Sequence, residues 1–155
     1  MNKLRIISLL ILVFCLCLPG QTKDSLGVDI PKGMTLQVAR KLHPTLVVFP
    51  DRCKQVKLYY EPTGKPAVFI YIFSPTNDGT YKYKGQMVAM KGRFEDVLAI
   101  MTKDKGAPTE VIEHDQAIWK GQSTKEQTSV LLRSKNPEQL KLGYRTCLMI
   151  CDAIQ

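Results

Sequence analysis

Residues 91–108, KGRFEDVLAIMTKDKGAP, carry the clearest helical pattern in the chain. Four apolar side chains in this stretch recur at i, i+3, i+4 and i+7, which is the spacing of one face of an amphipathic helix. They are Phe94, Val97, Leu98 and Met101. Gly106 suits the C-terminal cap, and Pro108 prevents the helix from continuing. We therefore expect a helix that buries this stripe against strand residues such as Val68 and Ile70.

A shorter helix is predicted earlier, in residues 32–44, KGMTLQVARKLHP. Thr35 is a natural N-cap for this helix, and Pro44 ends it. Both stretches begin with Lys-Gly, carry apolar residues at matching places and stop at a proline, and both precede segments with strand patterns. These segments are residues 46–49, 56–60, 67–73 and 81–84 after the shorter helix, and residues 109–112, 117–120 and 128–133 after the longer one. The chain therefore repeats one plan, a helix followed by an antiparallel meander.

The two units together predict an α+β fold in one domain, residues 23–155, with similar halves at about residues 29–90 and 91–150. The continuous apolar and aromatic run at residues 67–73 is the candidate for a central strand, whereas residues 46–49 read as a short buried strand. We expect one antiparallel sheet with both helices packed on one of its faces.

The C-terminal region fits two patterns. Leu140, Leu142 and Tyr144 alternate as in a strand, whereas Asn136-Pro137 is a good helix start. Because the sheet needs a closing strand, we expect this region to be a strand through about residue 148.

This arrangement resembles the β-lactamase-inhibitor-protein-like fold, which is shared with the small lipoprotein subunit of the outer-membrane β-barrel assembly machinery. Gly33-Met34-Thr35 resembles the start of that lipoprotein's helix, and Gly106-Ala107-Pro108 with Ala117-Ile118-Trp119 fits the same plan in the second unit. The resemblance covers most of residues 29–145. It implies a protein that binds another protein or works in the cell envelope, and no binding residue of either relative carries over.

The N-terminal sequence MNKLRIISLLILVFCLCLPG has the layout of a secretory signal peptide. Lys3 and Arg5 form the basic region, and the apolar run at residues 6–18 is shorter than the roughly 20 residues of a spanning helix. We therefore predict a signal peptide over residues 1–22 and export to the periplasm or beyond. The alternatives are an uncleaved anchor, a buried N-terminal helix, or lipid attachment at Cys15 or Cys17.

The chain is basic, with a formal net charge of +8. Loss of Lys3 and Arg5 with the signal peptide would leave +6, since no acidic residue precedes Asp24. A basic exported protein is attracted to proteins, glycans or envelope polymers that carry negative charge, and to membrane surfaces. Nucleic acid is not an expected partner because of the export signal. The alternative is that the extra lysines only keep the domain soluble.

Three cysteines lie beyond the predicted signal peptide, and export permits disulfides. Cys53 is a candidate to pair with Cys147 or Cys151, which would close most of the domain. Pairing Cys147 with Cys151 requires helical geometry, since four residues of extended strand span about 13 Å. The cysteine spacing predicts no metal site.

Tyrosines and lysines alternate on neighbouring predicted strands of the first unit. The candidate binding residues are Tyr59, Tyr71, Tyr81, Tyr83, Lys82 and Lys84. If they face outward together, they form a basic aromatic surface suited to a protein or glycan. The competing interpretation is that the tyrosines fill the core while the lysines cover the solvent side.

The sequence predicts no catalytic residue and no cofactor, because it contains no nucleophile elbow, phosphate loop or dinucleotide fingerprint. His114 beside Asp115 reads as a polar turn, and His43 reads as a helix cap. We therefore expect an exported, non-catalytic binding or envelope-associated protein that acts through a sheet face. The alternatives are a small secreted enzyme that uses a thiol or His114, and a structural subunit of an envelope complex.

Overall fold

The computed structural model describes residues 27–51, 55–121 and 127–151. The helices in these residues are α1 (Leu36–Leu42), α2 (Phe94–Lys105) and α3 (Pro137–Lys141). The strands are β1 (Val47–Val48), β2 (Lys57–Tyr60), β3 (Ala67–Pro75), β4 (Tyr81–Met90), β5 (Glu110–Ile112), β6 (Gln116–Trp119), β7 (Thr128–Arg133) and β8 (Thr146–Cys151). The predicted signal peptide lies outside the described residues. Among the described residues, no helix has the length and apolar character needed to cross a membrane.

The eight strands form one antiparallel sheet in the order β1-β2-β3-β4-β8-β7-β6-β5. Each half of the chain contributes four neighbouring strands, and the last strand of one half pairs with the last strand of the other. At this joint Met87 pairs with Met149, and Met90 pairs with Thr146. The predicted α+β class and the single antiparallel sheet are confirmed.

The helices α1 and α2 cover the same face of the sheet, which we call the helix face. Ala67 lies under α2, in a cluster with Met101 and Leu131, while Tyr71 lies under α1 in a cluster with Ala39. Ala67 and Tyr71 are four residues apart on β3, so their side chains share one face. The opposite side of the sheet carries neither α1 nor α2, and we call it the helix-free face.

The predicted partners of α2 are wrong. Val68 and Ile70 belong to the helix-free face, where they pack with Phe49 and Tyr144. The error has a physical origin, because residues 67–73 are apolar on both faces and the run does not reveal which face receives the helix. The predicted stripe is otherwise buried at Phe94, Val97 and Met101, and Leu98 is half-buried.

Two strand predictions need correction. In residues 46–49 only Val47 and Val48 form a strand, and both are exposed, whereas Leu46 and Phe49 are buried. At the C-terminus, residues 137–141 form a short helix that is capped by Asn136, whose side chain accepts a hydrogen bond from the Glu138 amide at 3.0 Å. The closing strand follows as β8.

Candidate interaction surface

The helix-free face of the first half is covered by two irregular segments. The Phe49 ring lies 5.3 Å from the Tyr60 ring and 5.7 Å from the Tyr144 ring, which comes from the α3–β8 connection. The Gln139 side chain donates a 2.6 Å hydrogen bond to the carbonyl of Pro50. These contacts hold the segment after β1 against α3, so the first-half strands are buried on this face.

The helix-free face of the second half remains partly open. Strand pairing aligns Met149 with Val130 and Val130 with Ile118, in a row across β8, β7 and β6. All three side chains are half-buried, and Glu110 of β5 ends this row. In the neighbouring row Leu132 is half-buried, Gln116 of β6 follows it, and Ile112 at the end is 39% exposed. We call Met149, Val130, Ile118, Leu132 and Ile112 the open face.

The open face is apolar although the other side of the same strands is already buried. Ala117 and Trp119 of β6 and Leu131 of β7 pack under α2. An antiparallel strand with one solvated face normally alternates apolar and polar residues. Here Ile118 and Val130 occupy the positions where a polar residue is expected. This departure from alternation is visible in the sequence and indicates an apolar outer surface on each strand. The row across three strands cannot be predicted in this way, because it forms only when strands distant in sequence pair.

Ionic contacts fix the β5–β6 hairpin beside the open face. The Arg133 guanidinium donates from Nε to Asp115 at 2.9 Å and from Nη2 to Glu95 of α2 at 2.6 Å. Lys135 also pairs with Asp115, and hydrogen bonds from Lys135 and Arg133 hold the pKa of the Asp115 carboxyl below its usual value. His114, in the exposed turn of this hairpin, has a φ of 58°. The predicted polar turn is therefore tied to both α2 and β7.

The predicted tyrosine surface is wrong for most of its members. Tyr59, Tyr71 and Tyr83 are buried on the helix face next to α1. The Tyr71 hydroxyl donates a 2.9 Å hydrogen bond to the Val28 carbonyl, so the segment before α1 covers it. Burial raises the pKa of both Tyr71 and Tyr83. Only Tyr81 of the four remains half-buried, with the Lys57 ammonium 4.2 Å from its ring centre.

Lys82 and Lys84, the two lysines among the candidate binding residues, do not lie beside the tyrosines. Lys82 pairs with Ser74, next to the pair that Tyr81 makes with Pro75, so its side chain points to the opposite face. Lys84 is exposed and lies where the register shifts between the Gly85–Ile72 and Tyr83–Phe73 pairs. These residues therefore follow the competing interpretation, with tyrosines in the core and lysines toward solvent.

Cys147 is a buried free thiol on the helix-free face. Burial raises its pKa to about 11, and the Asp51 carboxylate adds to the shift. His43 caps α1 on the other face, and His114 lies in the edge hairpin, with β7 and β6 between it and β8. The structure therefore places neither histidine beside this thiol. Within the described residues no group of three or more His, Cys, Asp or Glu side chains is arranged to hold a metal.

The structure describes only some of the cysteines in the predicted disulfides. Cys147 carries a free thiol, so the predicted Cys53–Cys147 pairing is not formed. A bridge between Cys53 and Cys151 stays a prediction, because Cys53 and the side chain of Cys151 lie outside the described residues. Cys147 and Cys151 occupy the same extended strand four residues apart, a spacing of about 13 Å that prevents them from pairing with each other.

Comparison of the chain with protein-family models, with characterised proteins and with solved structures finds no match in any of the three. Evidence for a function of this protein therefore comes from the open face and from the sequence patterns.

Proposed function

We propose that this protein is an exported, non-catalytic binding protein of the cell envelope that acts through its open face. The single observation that carries the proposal is the row of half-buried apolar side chains Met149, Val130 and Ile118 on the helix-free face. The first half buries the equivalent surface under Phe49 and Tyr144. Leu132 and Met149 border that cluster, while Val130 and Ile118 lie outside it and provide the surface for another molecule.

The chemistry of the open face favours a protein partner over an anionic polymer or glycan. Its centre is aliphatic and sulfur-containing, and burial of apolar area stabilises a complex by roughly 25 cal/mol per Å². A polyanionic chain would instead require a cluster of cations. The net charge of +6 that remains after loss of Lys3 and Arg5 then acts mainly by attracting acidic partners and by accelerating their approach.

The proposal is tested by replacing Val130 with lysine in the full chain and cross-linking the protein in its native host. We expect the envelope protein recovered with the unmodified chain to be lost, or to bind about tenfold more weakly, because a charge would be buried at the centre of the contact. Leu142→Lys is the matched control, since Leu142 is an exposed leucine outside the open face.

Thermal melting of both variants separates a binding effect from a folding effect. Equal recovery of the same partner with Val130→Lys and with the unmodified chain would contradict the proposal. Protease accessibility of the chain in spheroplasts tests export separately, and protection of the whole chain in the cytoplasm would exclude an envelope role.

A further inference from the structure

We infer that β5, the edge strand beside the open face, accepts an extended segment of the partner as a ninth strand of the sheet. The inference rests on the proposed function, whose partner it specifies. β5 ends the strand order, so its outer side carries backbone groups that no other described strand pairs. An edge of this kind is recognised by a peptide backbone in extended conformation.

The side chains of β5 leave this edge accessible. Val111 is 49% exposed and Ile112 is 39% exposed, and they point to opposite faces of the sheet. Sheet edges are usually protected by charged side chains, prolines or bulges. The single charge on β5, Glu110, is already paired with Lys120 at 2.9 Å.

The other edge of the sheet provides the contrast. β1 also exposes apolar side chains, with Val48 64% exposed. However, it has only two residues and is bounded by prolines on both sides, with Pro44 three residues before it and Pro50 two residues after it, whereas β5 has three residues and a nearby proline, Pro108, only on its N-terminal side. Proline has no N–H to donate, so added pairing cannot extend along the β1 edge. β5 is therefore the edge at which pairing with another chain is favoured.

The β5 edge is also held in position before binding. The Thr109 hydroxyl donates to the Ile118 carbonyl at 2.8 Å and accepts from the Lys120 amide at 3.0 Å. At the other end of β5, the Asp115 carbonyl accepts a hydrogen bond from the Arg133 amide at 2.8 Å. A strand that is already ordered loses less conformational entropy when a partner binds.

The size of the open face favours an extended segment over a second copy of this chain. Four strands spaced about 4.8 Å apart, each contributing about four residues, offer on the order of 300 Å². A stable dimer needs roughly 800 Å² from each copy, and two exported chains of charge +6 repel each other. A segment paired with β5 gains backbone hydrogen bonds as well, and its alternate side chains fall next to Glu110 and Ile112, the two β5 residues on the open-face side of the sheet.

The expected partner segment is therefore extended, free of proline, apolar at alternate positions and flanked by acidic residues that match the basic chain. We propose to select binders from a phage-displayed random peptide library on the immobilised full chain. Enriched peptides should show this pattern. The best peptide should bind Val111→Lys about tenfold more weakly and Val48→Lys equally well, because only the first substitution places a charge on the β5 edge.

The hydrogen bonds are tested on the unmodified chain, which avoids any effect of a substitution on folding. Two N-methylated versions of the peptide carry methyl groups on alternate amides. One version should lose binding and the other should retain it, because only one set of amides faces β5. Amide hydrogen exchange at Val111, whose N–H faces away from β6, should slow on binding, while exchange at Val47 and Val48 should not change.

Three results would overturn the inference: no enriched peptide, equal binding to Val111→Lys, or equal binding of both methylated peptides. The proposed function is decided separately by the native partner. If Val130→Lys loses that partner and Val111→Lys retains it, the open face binds without strand addition. The proposed function then stands, and the inference about β5 fails.

Discussion

At the level of a single residue, the environment of Cys147 differs from that of a reactive thiol. A catalytic cysteine needs a thiolate near neutral pH, usually in a partly exposed electropositive environment. Cys147 has the opposite environment, because it is buried and its pKa is raised to about 11. The reactive-thiol alternative is therefore disfavoured at this position.

This interpretation predicts slow thiol chemistry in the folded protein. In a variant whose only cysteine is Cys147, we expect modification by Ellman's reagent at pH 7 to be far slower than in the urea-unfolded chain. The raised pKa also contributes stability that is fully present below about pH 9 and is lost as the pH rises through about 11. Rapid native modification at pH 7 would contradict this account and support an enzyme.

Single residues also show why the candidate site could not be predicted fully from the sequence. Tyr81 and Tyr83 share a face, as strand alternation requires, but Tyr83 is buried because α1 and the segment before it cover that face. Val130 and Ile118 could not be predicted as part of a surface. They lie on separate strands, and they become neighbours only after the strands pair. Local periodicity describes one strand and not the element that covers it.

At the scale of elements, the sequence predicted the buried stripe of α2 correctly but not the strand residues beneath it. Met101 is fully buried between the helix and the sheet, whereas Leu98 is half-buried at the border of the same cluster. We expect Met101→Ala to lower the free energy of unfolding by about 2–5 kcal/mol, because a large buried side chain is removed and a cavity remains. Leu98→Ala should cost less, on the order of 1 kcal/mol.

Urea unfolding followed by circular dichroism measures both values. Ala99, an exposed residue of the same helix, offers a control in Ala99→Ser, which should change stability by only a few tenths of a kcal/mol. If Met101→Ala and Leu98→Ala lowered the free energy of unfolding by the same amount, the two sides of the stripe would be packed alike, contrary to the structure.

The C-terminal elements show where element prediction fails. Leu140, Leu142 and Tyr144 alternate in sequence, yet residues 137–141 are helical and only Tyr144 of the three is buried. The helix is held by Gln139, whose side chain bonds to the Pro50 carbonyl 89 residues earlier in the chain. A contact of that sequence separation leaves no local pattern, so the strand prediction could not have been corrected from the sequence alone.

At the scale of the whole molecule, the two halves share a plan but differ in what covers their helix-free faces. Each half supplies four strands and one long helix, as the repeated sequence pattern predicted. The first half receives a cover from its own residue Phe49 and from Tyr144 of the other half. In the second half this cover reaches Cys147 and borders Leu132 and Met149, but Val130 and Ile118 are not part of the cluster, and this asymmetry is the structural basis of the proposed binding surface.

Tyr144 of the second half packs in the cluster that covers the first half, and β4 of the first half pairs with β8 of the second. We therefore expect the two halves to unfold as one unit. The only tryptophan, Trp119, lies in the second half, and five of the six tyrosines lie in the first. Tryptophan fluorescence and tyrosine absorbance should therefore report one urea transition with a common midpoint. Met101→Ala in the second half should shift both signals equally. Two separate midpoints, or a shift in the tryptophan signal alone, would mean that the halves are independent and that the joint adds little stability.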